Sequence, residues 1–300
     1  MDDRVVTVFG GSGFVGRSAV EALFDAGWRV RIAARHPAKG AERVPRGVER
    51  VAADIRDESD VDHAIDGATA VVNAVSLYVE HGDLDFETIH VRGAERLARR
   101  ARAAGVERLV HISGLGTHPD SPSRYVRARA RGEAAVRDAF ERATILRPSV
   151  MFGLGDSFLA NLDRLTRLPV VPLFGQGNTR LQPVYVDDTA AAIAAALALA
   201  DACGRLYQLG GGEQLTYRAI VEAVMAHQGR QRPLLPVPFA LWNVLAATLA
   251  VFPNPPLTRD QIMLMQQDSV PDPGAPGFVD FGIQPCSFRS MLPVCLPAAR

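Results

Sequence analysis

Val5-Val6-Thr7-Val8-Phe9-Gly10-Gly11-Ser12-Gly13-Phe14-Val15-Gly16 runs a β-branched stretch straight into a glycine-rich turn, and a helical pattern continues from it through Leu23. Glycine is needed where the chain turns sharply out of a strand, where backbone amides approach a pyrophosphate, and where the helix packs on the strand. Gly10, Gly13 and Gly16 have the spacing for those roles. Ser12, Phe14 and Val15 fill the loop between them, at the positive end of the helix, where an anion is stabilised.

The same rhythm extends outward. Short β-branched runs at 4–9, 28–33, 48–53, 69–74, 108–112 and 143–147 alternate with amphipathic stretches. Strand–helix alternation implies an α/β fold, a Rossmann-type doubly wound parallel sheet with helices on both faces and ligands at the carboxyl ends of the strands. Residues 1–150 are expected to form the nucleotide-binding unit, and 151–300 a smaller C-terminal lobe that binds a partner. Strand-like runs near 181–186 and 205–209 are expected to return to the sheet. The tail after Asp268, rich in proline and glycine, is expected to wrap as irregular chain.

The loop ends refine the ligand. A site for NAD places an acid at the end of the second strand to hold the ribose 2′-hydroxyl. Here that strand ends Ala33-Ala34-Arg35-His36, with no carboxylate. Arg35 offers a guanidinium to a 2′-phosphate instead, so NADP(H) is expected over NAD(H). Asp54 and Ile55 follow the third strand, where an adenine ring would lie, with Asp54 able to accept from its amino group. Asn73, Ala74 and Val75 close the fourth, where the ribose and second phosphate would pass.

Composition narrows the setting. The chain has 33 basic and 33 acidic residues, so no bulk field draws it to nucleic acid or an anionic membrane. Its three cysteines, Cys203, Cys286 and Cys295, have no C-x-x-C spacing, and the histidines no metal-ligand spacing; neither a disulfide framework nor a metal site is expected. With acid rather than base before the first strand, the chain is expected in a reducing cytoplasm. The uncharged run opening at Phe239 and closing at Phe252 is flanked by prolines and too short to span a bilayer. It is expected either to pack on the lobe or to offer an apolar face for peripheral contact with a membrane or a partner protein.

With the glycine loop in place, Leu146-Arg-Pro-Ser149 with Gly153, and Gln182-Pro-Val-Tyr-Val-Asp-Asp188, make the chain resemble an extended, atypical short-chain dehydrogenase/reductase. Within that superfamily Ser123-Arg-Tyr125, Arg137-Asp-Ala-Phe140, Gln182-Pro-Val-Tyr-Val186 and Leu257-Thr-Arg-Asp260 are similar to the accessory-subunit group of respiratory complex I that carries a nucleotide fold. The resemblance implies tight NADPH binding, complex I subunits as partners, a place at the cytoplasmic face of the inner membrane, and Pro148 and Ser149 among the cofactor-binding residues.

It also implies a catalytic set. Active members use a serine or threonine after the fifth strand, matched by Ser113 with Thr117 behind it, and a Tyr-x-x-x-Lys pair on one helix face. Tyr125 matches the tyrosine, but Arg129 stands where the lysine belongs. Arginine stays cationic and can hold a ribose, yet it cannot pass a proton along a relay. The only lysine in the chain is Lys39, so drift toward arginine is a bland explanation for this departure. Three functions follow: a complex I subunit with little or no turnover, a working NADP-dependent reductase, dehydrogenase or epimerase on a carbonyl or sugar nucleotide, and a soluble NADP-sensing regulator.

Overall fold

The structure is a computed structural model that describes residues 4–38, 44–249 and 257–297. Lys39 and the end of the apolar run, 250–252, lie outside the described residues.

The chain opens with β1 (Val5–Phe9), α1 (Phe14–Asp25), β2 (Arg29–Ala34), β3 (Glu49–Ala52), α2 (Glu58–Ile65) and β4 (Ala70–Asn73). A π-helical turn, Glu87–Gly93, then runs directly into α3 (Ala94–Ala103), followed by β5 (Arg108–Ile112), α4 (Arg124–Ala139) and β6 (Thr144–Pro148). After β6 come β7 (Met151–Phe152), α5 (Ser157–Leu165), β8 (Val171–Phe174), β9 (Arg180–Leu181), β10 (Val184–Tyr185), α6 (Val186–Ala198), β11 (Leu206–Leu209), β12 (Leu215–Thr216), α7 (Tyr217–His227), β13 (Leu234–Val237), α8 (Phe239–Leu249), α9 (Arg259–Leu264) and α10 (Phe288–Cys295).

Seven of these strands form one sheet in the order β11-β6-β5-β4-β1-β2-β3, with every pairing parallel. The order reverses at β1, so the connections leave β1 and β4 toward opposite faces, to α1 and to α3, which leaves a crevice outside their carboxyl ends. Parallel strands buried on both faces need apolar residues throughout, and all five residues of β1 are buried. Ala19, Val20 and Leu23 of α1 and Ala192, Ile193 and Ala196 of α6 fill one face. Residues of α2, α3 and α4, among them Ile65, Leu97 and Val136, fill the other. A third core, around Phe152, Leu173, Val221 and Phe288, belongs to the lobe.

Two expectations change. The 181–186 segment does not rejoin the sheet: β9 pairs with β12 and β10 with β7, in separate two-stranded sheets. Pro183 interrupts its backbone donors and limits each piece to two residues. The tail is irregular only in part. Ser287 caps α10, and Phe288, Leu292 and Cys295 bury one stripe of it. Ahead of that helix the tail runs along the sheet's β11 edge: the Gln208 amide donates to the Pro276 carbonyl at 2.8 Å, and Ser149 Oγ to the Ser269 carbonyl at 2.7 Å.

Candidate functional site

Most helices here that start from a loop have a side-chain cap: Asp57 for α2, Ser123 for α4, Asp156 for α5 and Thr216 for α7. α1 starts at Gly13 with none. Its first amides, at the positive end of a 12-residue helix, are left for another acceptor. Gly10 adopts φ +77°, and a Cβ there would lie 2.8 Å from the Ala74 carbonyl oxygen. A Cβ on Gly16 would lie 2.1 Å from the Gly10 carbonyl oxygen. Only glycine lets the turn pass this close to β4 and to its own helix, and the resulting cradle fits a pyrophosphate. Gly153, after β6, approaches the same place, under Phe14 and Val186.

At the adenine end Arg35 is exposed, one residue past β2. Asp54 is engaged by its own neighbour: Arg56 Nη2 donates to Oδ2 at 2.8 Å and Arg56 Nε to Oδ1 at 3.1 Å. Burial alone would raise the Asp54 carboxyl, but the bonds from Arg56 and the nearby Arg35 hold it below the usual carboxylate range. The expected acceptor for adenine is thus already paired. Arg56 also reaches Asp83 at 2.6 Å, tying this end to the loop after β4. At the end of β4 the Asn73 side chain accepts from the Val75 amide at 3.2 Å and meets His111 Nδ1 at 3.1 Å. The Ser149 hydroxyl is turned to Ser269 and holds the tail.

The Tyr125 and Arg129 side chains meet as the helical spacing requires. Arg129 Nη1 donates to Tyr125 Oη at 2.9 Å and to Ser76 Oγ at 3.2 Å, while Nη2 donates to the Ile112 carbonyl at 3.1 Å. The last bond fixes α4 against the end of β5, beside buried Ser113, whose hydroxyl lies 3.3 Å from Thr117 Oγ1. Arg129 Nε is buried without a partner among the described residues, a spare donor next to Gly114. Tyr125 is enclosed by Tyr78, stacked at 5.6 Å, and by Phe86 and His90 edge-on at 5.5 Å.

Two histidines given no role in the sequence complete this cluster. Burial, helped by the Arg129 charge, pushes His90 and His111 down to about 3, so both are neutral. Burial also pushes Tyr125 up to about 12, more than the Arg129 charge offsets. Arg129 pays the desolvation cost of its burial, but Tyr125, Tyr78 and Glu133 keep it charged. Burial therefore keeps the phenol protonated, against the Arg129 charge and hydrogen bond, which favour the tyrosinate. Ser76, Tyr78, His90 and His111 were missed because they come from a loop, a π turn and a mid-strand position, none with a motif. The one available signal was a histidine inside the apolar β5 run.

A model of the NAD dependent epimerase/dehydratase family matches residues 6–210. The chain is 33% identical, over 94% of its length and 74% of the relative's, to an Arabidopsis thaliana protein described as NADH dehydrogenase [ubiquinone] 1 alpha subcomplex subunit 9, mitochondrial. The Mus musculus protein of that description is 30% identical over 94% of this chain and 76% of its own. A Caulobacter vibrioides ceramide reductase is 33% identical over 64% of this chain and 60% of its own. Among solved structures, the Escherichia coli NADPH-dependent quinone oxidoreductase QOR2 complexed with NADPH superposes with a TM-score of 0.77, covering 96% of this chain and 98% of that one at 18% identity. At that identity the likeness is one of fold.

Proposed function

The chain belongs to the NAD dependent epimerase/dehydratase family, and from that membership we propose that it is an NADP(H)-binding accessory subunit of a respiratory NADH dehydrogenase, with little or no turnover of its own. Likeness to the subunit 9 relatives along 94% of the chain supports the assembly. One observation carries the low turnover: Arg129, whose two Nη groups already donate to Tyr125, Ser76 and Ile112 and whose Nε alone is spare, sits beside a phenol that burial keeps protonated. A phenol that had to take a proton near neutral pH, as in the oxidative direction, would need the reverse shift.

The residues present fit the cofactor. The uncapped amides of α1 would hold the pyrophosphate, Arg35 the 2′-phosphate, Ile55 the adenine face, Asn73 to Val75 the adjoining ribose, and Tyr125 and Arg129 the nicotinamide ribose. A bound nicotinamide would supply or accept a hydride. Tyr125 keeps its proton, Arg129 orients a hydroxyl, and the aromatic ring of Tyr78, Phe86 and His90 keeps water from them. Among the described residues no helix is long and apolar enough to cross a membrane. α8 packs inward through Ala246 and Trp242, whose Nε1 donates to the Leu173 carbonyl at 3.1 Å. Its other face exposes Leu241, Val244 and Leu245. That face supports a peripheral position at the cytoplasmic face of the inner membrane, against complex I subunits.

Native gels of solubilised membranes should show the protein migrating with the NADH dehydrogenase. Recovery only as a free soluble pool refutes the assembly. Purified protein should bind NADPH at least tenfold more tightly than NADH, with Arg35→Ala narrowing the gap; an unchanged preference removes Arg35 from its role. A second reading, a working reductase on a carbonyl substrate, is favoured by Ser113 buried at the end of β5 and by the likeness to a ceramide reductase. Cofactor oxidation abolished by Tyr125→Phe would establish it in place of the first.

A further inference from the structure

We propose that Asp260 is a positioning residue for Tyr125 and Arg129, acting through the Ser123 hydroxyl that caps their helix. Ser123 is buried, and its Oγ accepts from the Val126 amide at 3.3 Å while donating to the Asp260 carboxylate. One hydroxyl therefore does both jobs. The proton given to Asp260 fixes which lone pair faces the helix. α4 has no acidic residue in its own first turn. Asp260 supplies that charge from 137 residues away, where the helix dipole favours an anion.

Asp260 is itself held in place. Its helix, α9, begins with a capping box in which Thr258 and Gln261 exchange bonds of 2.9 and 3.2 Å. Four residues on, and so on the same face of α9, Leu264 packs against the cluster of Phe86, Val91, Tyr125, Val126 and Ala128. The lobe thus meets the first turn of α4 twice, with a carboxylate at the cap and an apolar side chain on the cluster around Tyr125. Tyr125 occupies that first turn and Arg129 the next. If the cap frays, the phenol moves off the guanidinium.

The link to cofactor binding rests on the reading that these two side chains meet the nicotinamide ribose. The test uses the full chain with Asp260→Ala, Asp260→Asn, Ser123→Ala and the Asp260→Ala/Ser123→Ala double variant. It follows amide exchange across 123–129 together with NADPH affinity. Asp260→Ala should speed exchange at Val126 and Arg127 roughly fivefold and weaken NADPH by a similar factor, leaving α2 and α7 unchanged. Asp260→Asn keeps an acceptor for Ser123 and should return both readouts to within about threefold of the parent. The double variant should be no worse than Ser123→Ala alone. Unchanged exchange at 123–129, acceleration spread evenly over α2 and α7, or additive effects would each overturn the proposal. If the parent protein binds no NADPH, the cofactor reading fails, while the exchange measurements still decide the role of Asp260.

Discussion

Burial, helped by the guanidinium at position 129, sets the charge of two imidazoles beside the Tyr125 phenol. Asn73 Nδ2 can only donate, so His111 Nδ1 accepts and its proton sits on Nε2. His90 Nε2 lies 2.9 Å from the Leu77 carbonyl and donates to it, which places its proton on Nε2 as well. Both histidines titrate near 3 in the fold and near 6.5 in the unfolded chain. The unfolded chain therefore takes up protons that the fold refuses. Their contribution is complete above pH 6.5 and is lost as the pH falls toward 3, by on the order of 2 kcal/mol for each at pH 5. Urea midpoints at pH 7.5 and 5 should show this decline. His111→Leu, which also strands Asn73, should be less stable at pH 7.5 but fall less steeply; an equal slope would show that His111 is not charged on unfolding.

At the scale of elements, the close approach of α4 to the π-helical turn holds this cluster together. A Cβ on Gly132 would lie 1.9 Å from the His90 carbonyl oxygen, so the two elements touch only through a missing side chain. Gly132→Ala should cost on the order of 3 kcal/mol, a fall in Tm of roughly 6–12 °C, because neither backbone can give way. A Tm within about 2 °C of the parent would mean that the turn moves freely. What the sequence made legible follows the same division. The glycine loop could be read because the limits on Gly10 and Gly16 are local to one turn. Tyr125 and Arg129 could be paired because a helix fixes its own neighbours. Ser76, His90 and Asp260 reach the site through a loop, a π turn and a distant helix, and no local pattern records such contacts. Ser123-Arg-Tyr125 and Leu257-Thr-Arg-Asp260 are separate likenesses in the sequence, whereas in the structure they touch.

At the scale of the molecule, α8 is the element least accounted for by its own core. Leu241 and Val244 are 59% and 62% exposed on a helix without a single charge. Leu241→Glu with Val244→Glu should change stability by no more than about 0.5 kcal/mol, since neither side chain is buried. The same pair should release the protein from membranes on fractionation. Retention with stability intact would show that docking lies elsewhere.

The tail along β11 has a consequence in time. A ribosome delivers β11 well before the residues that cover it: Leu209 and Pro276 are separated by 276 − 209 = 67 positions. At about 5–20 residues per second that interval is roughly 3–13 s. Throughout it, the sheet is complete in strands but bare along one edge, an open template for another chain. The nascent protein therefore spends several seconds with this edge open to aggregation, until the proline-rich segment around Pro276 has emerged to cover it.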